Sequence, residues 1–139
     1  MADHYYMKEM NINMKKTIVF DFDGVIHTGY DGYRDGSIYG EIDYELLDFI
    51  KSLLDKYYVC ICSNRPKQQI IDFMNNLCYN ELEFVDGETN LPFFNEEGKI
   101  GVSNSKIAGI IYIDDRGYRY STFDKMKKDL SYIFDKGDE

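Results

Sequence analysis

Short apolar runs alternate with longer amphipathic segments along this chain. Residues 17–20 are β-branched or aromatic and predict a first strand, and residues 57–62 predict a second. Residues 82–85 predict a weaker third strand, and residues 110–113 predict a fourth that is apolar almost throughout. Strands that lack polar alternation are typical of parallel sheets covered on both faces.

Three segments carry apolar residues at helical spacing. The first, residues 43–55, begins with Asp43 as a plausible N-cap. The second follows Pro66, which suits the first helical position. The third begins after Ser121 or Thr122, either of which is a suitable N-cap. Its expected apolar face comprises Phe123, Met126, Leu130, Ile133 and Phe134. Strands that alternate with helices predict an α/β fold, a three-layer Rossmann-like parallel sheet.

Length and composition fit one domain. The chain has 139 residues, of which 44% are hydrophobic, enough for a real core. Residues 1–14 are polar and rich in Met and Tyr, so we expect a flexible N-terminal extension followed by a single domain over residues 15–139. No apolar run approaches the roughly 20 residues that span a bilayer, and the N-terminus lacks the apolar core of a secretory signal. A cytoplasmic protein is the expectation, and its three cysteines are expected to be free thiols.

The charge balance limits the partners. The formal net charge is −9, which repels polyanions, and no basic stripe is visible. We therefore expect no stable nucleic-acid binding and no membrane association. A small phosphorylated substrate remains compatible with this charge if a cation neutralises the site locally. A homo-oligomer is possible, but the sequence does not determine it.

Polar residues follow three of the predicted strands at the point where each strand ends. These segments are DFDGVIH at residues 21–27, SNRP at 63–66 and IDDR at 113–116. In an open α/β sheet, ligands bind outside the carboxyl ends of the strands. Carboxylates gathered there would raise one another's pKa, and a divalent cation such as Mg²⁺ would relieve this. The residues expected at this edge are Asp21, Asp23, Ser63, Asp114 and Asp115.

These residue types suit phosphoryl transfer. A carboxylate such as Asp21 needs no base to act as a nucleophile, and its attack on phosphorus would give an aspartyl phosphate. Asp23 lies two residues later and would point to the same side, where it would serve as general acid and base. Ser63 and the following helix N-terminus would cradle phosphate oxygens. Lys106 is the candidate to offset the phosphoryl charge, with Lys99 as its rival.

Read in order, DFDGV, SNRP, Lys106 and IDDR resemble the four motifs of the haloacid-dehalogenase-like (HAD) hydrolases. Residues 104–120 resemble the small capless members in particular, and the resemblance covers about residues 16–120. It implies a Rossmann-like fold, Mg²⁺ and aspartyl-phosphate chemistry. Only 39 residues separate Asp23 from Ser63, so no separate cap domain is expected.

The resemblance also implies a role for each motif residue. It assigns Asp21 as nucleophile and metal ligand, Asp23 as acid/base and as a carbonyl ligand of the metal, Ser63, Asn64 and Lys106 as phosphate ligands, and Asp115 with Asp114 as the remaining metal ligands. Asp115 is favoured over Asp114 as the direct ligand. One departure is Ile107, which stands where such families often place a proline.

Each of these features also has a purely structural interpretation. Ser63 and Asn64 would serve equally as a helix cap, and the two aspartates of IDDR as an acidic turn. Arg65 and Arg116 are either ion-pair partners or substrate contacts, and we favour ion pairs. The role of His27 is open between the site and the loop. Residues 28–40, rich in Gly and Tyr, predict a mobile loop that would cover the site, unless its tyrosines pack it down.

The predicted function is that of a magnesium-dependent phosphomonoester hydrolase, a HAD-superfamily phosphatase. Its expected substrate is a small phosphorylated metabolite such as a sugar phosphate or a nucleotide. The alternative is a phospho-accepting signalling or binding module of the same fold class with little turnover. Receiver-like modules carry their acidic pair on the first strand and their lysine last, whereas here an acidic pair follows Lys106.

Overall fold

A five-stranded parallel sheet forms the centre of the molecule. The computed structural model describes residues 15–91 and 93–134; the predicted extension over residues 1–14 and the last five residues of the predicted domain lie outside them. The elements in chain order are β1 (Lys16–Asp21), β2 (His27–Thr28), β3 (Glu41–Ile42), α1 (Tyr44–Leu53), β4 (Tyr57–Cys62), α2 (Lys67–Leu77), β5 (Phe84–Asp86), β6 (Ile100–Ser103), β7 (Ile111–Ile113), α3 (Phe123–Asp129) and α4 (Ser131–Phe134).

Strand β1 lies inside the sheet, whose order is β5-β6-β4-β1-β7. It pairs in parallel with β4 along its whole length, so Asp21 lies opposite Cys62. On its other side it pairs with β7, where Phe20 lies opposite Ile113. Neighbouring parallel strands in this register end at the same edge. The predicted α/β fold with a parallel sheet and helices is confirmed at this level.

Helices α1 and α2 pack on one face of the sheet. Asp43 caps α1 as predicted, because its side chain accepts a hydrogen bond from the Leu46 amide at 3.0 Å. Successive right-handed crossovers that step across a sheet in one direction place their helices on the same face. The main core lies between these helices and the sheet and includes Phe20, Phe22, Leu47, Ile50, Ile61, Ile70 and Met74.

The opposite face is covered by extended chain. A second, smaller apolar cluster there comprises Val19, Tyr58, Cys60, Phe94 and Ile107. Ile107 belongs to residues 104–110, which connect β6 to β7 without a helix. Parallel crossovers that contain a helix need about a dozen residues or more, and this connection is too short. Within the described residues, the helical layer expected on this face is therefore replaced by loop segments.

Two further expectations differ from the structure. Strand β6 was not predicted, although all four of its residues are buried. Thr122 does cap α3, but the predicted apolar face is not buried: Phe123 is 60% exposed and Ile133 is 49% exposed. Among the strands and helices of the described residues, α3 makes appreciable contact with α4 alone.

The cysteines agree with the sequence-based expectation. All three cysteines are free, and Cys60 is fully buried. In the described part of the chain, no helix is both long and apolar enough to span a bilayer.

Candidate functional site at the carboxyl edge of the sheet

The predicted carboxylates converge on Asp21, at the end of β1. Burial raises the pKa of this half-buried carboxyl above its ordinary value, and a hydrogen bond from the Phe22 amide at 2.8 Å partly offsets the rise. The charges of Asp115, Asp23 and Asp114 raise the pKa of Asp21 further. Electrostatic interaction of this kind requires the four carboxylates to lie near one another. The folded chain thus holds a concentration of negative charge at this edge.

A tight turn after β1 brings Asp115 against the first motif. The Phe22 carbonyl accepts hydrogen bonds from the amides of three residues, at positions 25–27. Gly24 within this turn has a φ of +88°, a conformation that disfavours other residues. A Cβ atom at Gly24 would overlap with the carboxylate of Asp115. The glycine therefore provides both the turn and the space that Asp115 occupies.

The two aspartates of the IDDR segment point to different neighbours. Asp114 accepts hydrogen bonds from the amides of Arg116, at 3.0 Å, and of Gly117. Its carboxylate therefore stabilises the turn that follows β7. The Asp115 carboxylate instead lies against Gly24. Asp115 thus lies beside the first motif, whereas Asp114 also lies in the wall of a cavity next to Asp21.

Asp23 is engaged by two buried side chains. Arg65 Nη2 donates to Asp23 Oδ1 at 2.9 Å and Arg65 Nε to Oδ2 at 3.2 Å. His27 Nδ1 lies 2.8 Å from Oδ1. Arg65 is 8% exposed and His27 is completely buried. The ion pair that the sequence favoured for Arg65 is thus made with a predicted catalytic residue.

The SNRP segment is held by hydrogen bonds from Asn104, a residue outside the predicted motifs. Ser63 Oγ accepts a hydrogen bond from the Arg65 amide at 3.1 Å. Asn104, just after β6, donates to the carbonyls of Ser63 at 2.9 Å and Arg65 at 2.5 Å. Its Oδ1 accepts from the Lys67 amide at 3.2 Å and so caps α2, whose N-cap Pro66 offers no side-chain bond. The sequence analysis missed Asn104 because it lies 37 residues from Lys67. Asn64, within this segment, is exposed.

The two candidate lysines lie at opposite ends of β6. Lys99 precedes the strand and pairs with Glu83 at 3.5 Å. Lys106 follows the strand, and its Nζ lies 4.7 Å from the centre of the Tyr112 ring. Its charge also lowers the pKa of Cys62, which burial and the charge of Asp21 raise. Of the two, Lys106 is therefore the lysine at the edge where Asp21 lies.

A cavity of about 350 Å³ opens beside the nucleophile candidate. Its walls include Asp21 and Cys62 together with Tyr112 and Arg116. The Tyr112 hydroxyl donates to the Ile107 carbonyl at 2.7 Å, which fixes the ring in the wall. The cavity gives a small ligand access to the Asp21 carboxylate from the face of the sheet that lacks helices.

The loop predicted to be mobile is packed down by its own tyrosines. Tyr30 and Tyr39 stack with ring centres 5.9 Å apart. The Tyr39 hydroxyl donates to the Gly32 carbonyl at 2.8 Å. Arg65 Nη1 donates to the Gly36 carbonyl at 2.6 Å and ties the loop to the site. Of the two interpretations of residues 28–40, a mobile loop over the site or a loop packed down by its tyrosines, the structure favours the packed loop.

The predicted cation would need oxygen ligands at this edge of the sheet. Among residues 15–91 and 93–134, no three His, Cys, Asp or Glu side chains are grouped closely enough to hold an ion by themselves. Magnesium is usually held by one or two carboxylates, with waters and substrate phosphate completing its shell. Asp21 and Asp115 offer two carboxylates, and the hydrogen bonds of the Phe22 turn do not use the Asp23 carbonyl. These hard oxygen donors fit Mg²⁺.

The site therefore brings together residues from three strand ends. Asp23, Asp114 and Asp115 each lie within electrostatic reach of Asp21, and Lys106 lies near Cys62, which borders Asp21. No protein-family profile, curated protein or solved structure matches this chain. What the site does is therefore inferred from its own residues.

Proposed function

We propose that this chain is a magnesium-dependent phosphomonoester hydrolase of the HAD type, without a cap domain, in which Asp21 is the nucleophile. The observation that carries the proposal is that Asp21 is half-buried at the end of β1 with three other carboxylates near it, so burial and then their charges raise its pKa. Such crowding opposes folding unless a cation offsets it. An acidic pocket that needs a hard cation and ends a parallel strand suits phosphoryl transfer.

Asp21, Asp115 and the main-chain carbonyl of Asp23 would hold the ion. When bound, Mg²⁺ would neutralise the acidic residues and the negative charge of a phosphoryl group. Asp115 is the nearer candidate because its carboxylate lies against Gly24, whereas Asp114 stabilises its own turn. The preference of this oxygen set for Mg²⁺ over softer metals follows from ligand hardness.

This assignment predicts different results for the two neighbouring aspartates. Asp115→Asn is expected to raise the Mg²⁺ concentration for half-maximal activity by roughly 10-fold or more, because it removes a charged ligand. Asp114→Asn retains the Oδ1 acceptor of the turn and is expected to stay within about 3-fold of the wild type. The measurement is a Mg²⁺ titration of phosphate release by both variants. Equal effects, or a larger effect at Asp114, would contradict the assignment.

The reaction would proceed in two steps. An Asp21 oxygen forms a bond to phosphorus as the bond to the leaving oxygen breaks, and Asp23 gives that oxygen a proton. In the second step Asp23 takes a proton from water, the water oxygen bonds to phosphorus, and the bond from phosphorus to Asp21 breaks. Inorganic phosphate leaves, and both carboxyl groups return to their starting states.

The phosphoryl group would be held by cationic and hydrogen-bonding groups around Asp21. Lys106 would offset its negative charge. The charge of Lys106 lowers the pKa of Cys62 and that of Asp21 raises it, so both residues lie near this thiol. Ser63, with the exposed Asn64 and the N-terminus of α2, would bind its oxygens. The Ser63 hydroxyl is held by the Arg65 amide, which limits its rotation.

The lysine assignment is tested by a matched pair of variants. Lys106→Met is expected to lower kcat/KM by roughly 100-fold, because one charge-stabilising group is lost from the transition state. Lys99→Met removes the same side chain at the other end of β6 and is expected to change kcat/KM by no more than about 2-fold. Steady-state kinetics on one phosphomonoester suffices. A larger loss in Lys99→Met would reverse the assignment.

One observation favours the second candidate, a phospho-accepting module with little turnover. Arg65 and His27 already bind the Asp23 carboxylate, and a base held this way would be slow if both its oxygens were blocked. The two functions differ in the fate of the phosphoryl group. A hydrolase releases many equivalents of phosphate per protein molecule, whereas an accepting module keeps at most one equivalent on Asp21.

The experiment that tests the proposed function is a screen of phosphorylated metabolites, chiefly sugar phosphates and nucleotides. Phosphate release is measured with Mg²⁺ and with a chelator, and the Asp21→Asn variant serves as the blank. The proposal predicts multiple turnovers of at least one compound, only with Mg²⁺ and only with Asp21. Release that persists in Asp21→Asn would contradict it.

A further inference from the structure

The Asp23 carboxylate has an unequal set of hydrogen bonds on its two oxygens. Oδ1 accepts from Arg65 Nη2 at 2.9 Å and faces His27 Nδ1 at 2.8 Å. Oδ2 accepts only the longer bond from Arg65 Nε, at 3.2 Å, among the described residues. A carboxylate oxygen has two lone-pair positions. Oδ1 is therefore saturated, and Oδ2 retains one acceptor position.

His27 has a fixed orientation and a fixed tautomer. The ring is completely buried, and its Nε2 lies 2.8 Å from the amide nitrogen of Gly40. A backbone N–H can only donate, so Nε2 accepts and the proton of the neutral ring is on Nδ1. His27 Nδ1 therefore donates to Asp23 Oδ1. A Cβ at Gly40 would overlap with the Thr28 carbonyl and would also lie 2.9 Å from Nε2, so the glycine permits the close approach of this segment.

Hydrogen bonds hold both the side chain and the main chain of Arg65. Its Nη1 donates to the Gly36 carbonyl at 2.6 Å, and Gln69 Nε2 donates to the same carbonyl at 2.8 Å. Its main-chain carbonyl accepts from Asn104 at 2.5 Å. The guanidinium therefore spans from the packed loop to Asp23 and is only 8% exposed. With its donor nitrogens used in this way, it is placed to hold Asp23 rather than to bind a substrate.

We propose that Arg65 is a positioning residue for Asp23, which leaves Oδ2 as the oxygen that exchanges protons with the leaving group and with the hydrolytic water. This inference rests on the proposed hydrolase function. A planar guanidinium that donates two parallel bonds fixes the plane of a carboxylate, which a lysine ammonium does not do. His27 occupies the second position on Oδ1 and so completes the selection of Oδ2.

The inference is tested with Arg65→Lys on two classes of substrate. An alkyl phosphate needs a proton on its leaving oxygen, whereas p-nitrophenyl phosphate has a leaving group that departs without one. We expect kcat on the alkyl phosphate to fall by roughly 100-fold with KM nearly unchanged, because the acid is misplaced rather than removed. The rate of phosphoenzyme formation from p-nitrophenyl phosphate, measured in a pre-steady-state burst, should change by less than about 5-fold.

Arg34→Lys is the matched control. Arg34 lies on the loop of residues 28–40, which Arg65 contacts through Gly36; it pairs with the exposed Asp31 at 2.6 Å and has no hydrogen bond to Asp23. It should retain wild-type kinetics on both substrates. Thermal unfolding of each variant is measured in parallel. If Arg65→Lys does not fold, Arg65→Gln is measured in the same way.

A double-mutant cycle separates positioning from general stability. In the Asp23→Asn background, Arg65→Lys should cause almost no further loss on the alkyl phosphate, because the group it positions is already inactive. Equal losses on both substrates, or full additivity with Asp23→Asn, would overturn the inference. So would a faster Arg65→Lys variant, since Arg65 would then restrain Asp23. In each of these cases the wild type still turns over, whereas failure of the proposed function would leave no Asp21-dependent turnover to compare.

Discussion

Asp21→Asn is expected to lower turnover by about 10⁴-fold or more and to stabilise the metal-free protein at neutral pH. The amide cannot form an aspartyl phosphate, so activity is lost. The stability gain follows from the raised pKa of Asp21, which means that ionisation opposes folding. Asn removes this charge and still offers an Oδ1 acceptor to the Phe22 amide. Activity with Mg²⁺ and melting temperature with a chelator are the two measurements.

The pH dependence of this gain has a definite sign. Below the ordinary Asp pKa of 3.8, the carboxyl is protonated in both folded and unfolded chains, and the variant has no advantage. As the pH rises above that value, the unfolded chain ionises first and the wild type loses stability relative to Asp21→Asn. The difference becomes complete above the raised pKa of the folded state. A wild type that melts higher than Asp21→Asn at neutral pH without metal would contradict this account.

Asp31 provides a control of opposite sign. The hydrogen bond from Arg34 lowers the pKa of this exposed carboxyl, so ionisation favours folding there. Asp31→Asn should therefore melt slightly lower than the wild type at neutral pH, and the difference should vanish as the pH falls through the lowered pKa. Its turnover should remain that of the wild type. The pair thus separates a functional carboxylate from an ordinary surface carboxylate.

Gly24→Ala is expected to have the second-largest effect on activity. A Cβ at this position would overlap with the Asp115 carboxylate, so the Asp115 side chain must leave its present position. We expect kcat/KM to fall by roughly 100-fold or more and the Mg²⁺ requirement to rise, because a misplaced ligand weakens the ion site. Kinetics at several Mg²⁺ concentrations measures both effects.

Gly98→Ala is the matched control for backbone strain. Gly98 has a φ of +75° and Gly24 a φ of +88°, but a Cβ at Gly98 would meet no atom within 4 Å. Both variants should lose stability by about 1–2 kcal/mol from the left-handed conformation. Only Gly24→Ala should lose activity. Similar activity in the two variants would mean that the position of Asp115 against Gly24 has no catalytic importance.

The parts of the fold that depend on local pattern were predictable. Strand β4 has the predicted bounds, and Asp43 caps α1, because both follow from neighbouring residues. Strand β6 was missed because Gly101 and Ser103 weaken its apolar pattern. Its stability comes from pairing with β4 and β5 and from Phe94, whose ring leaves no room for a Cβ at Gly101. Such contacts join distant segments and leave no local signal.

The C-terminal helical segment shows a second property that the spacing of apolar residues does not predict, namely burial. The spacing of apolar residues correctly indicated a helix after Thr122. It also suggested a buried face, yet Phe123 and Ile133 are largely exposed. An apolar stripe indicates which residues share a face, but it does not indicate what that face contacts. The β6–β7 connection could not be recognised in the sequence because β6 was missed, and only the strand order shows that this connection must cross a face of the sheet.

The candidate site, like the fold, has some features that follow from local sequence and others that depend on contacts between distant segments. Strand ends and the polar residues after them placed Asp21, Asp23, Ser63 and Asp115 at one edge, because parallel strands share a direction. The difference between Asp114 and Asp115 depends on the turn that follows β7, in which Asp114 accepts from the Arg116 amide, and the two adjacent aspartates look alike in the sequence. Arg65 donates hydrogen bonds to Asp23 and Gly36, which lie 42 and 29 residues away from it along the chain. No local motif encodes contacts over such separations. The residue types of the site could thus be predicted from the sequence, whereas the orientation of their side chains depends on long-range packing.

The most direct test of the shared site is beryllium fluoride binding followed by fluorine NMR, since this probe mimics a phosphoryl group on a carboxylate and needs no knowledge of the substrate. The account predicts bound fluorine resonances in the wild type that require Mg²⁺, disappear in Asp21→Asn and weaken in Asp115→Asn. No bound resonance in the wild type with Mg²⁺, or equal resonances in Asp21→Asn, would contradict it.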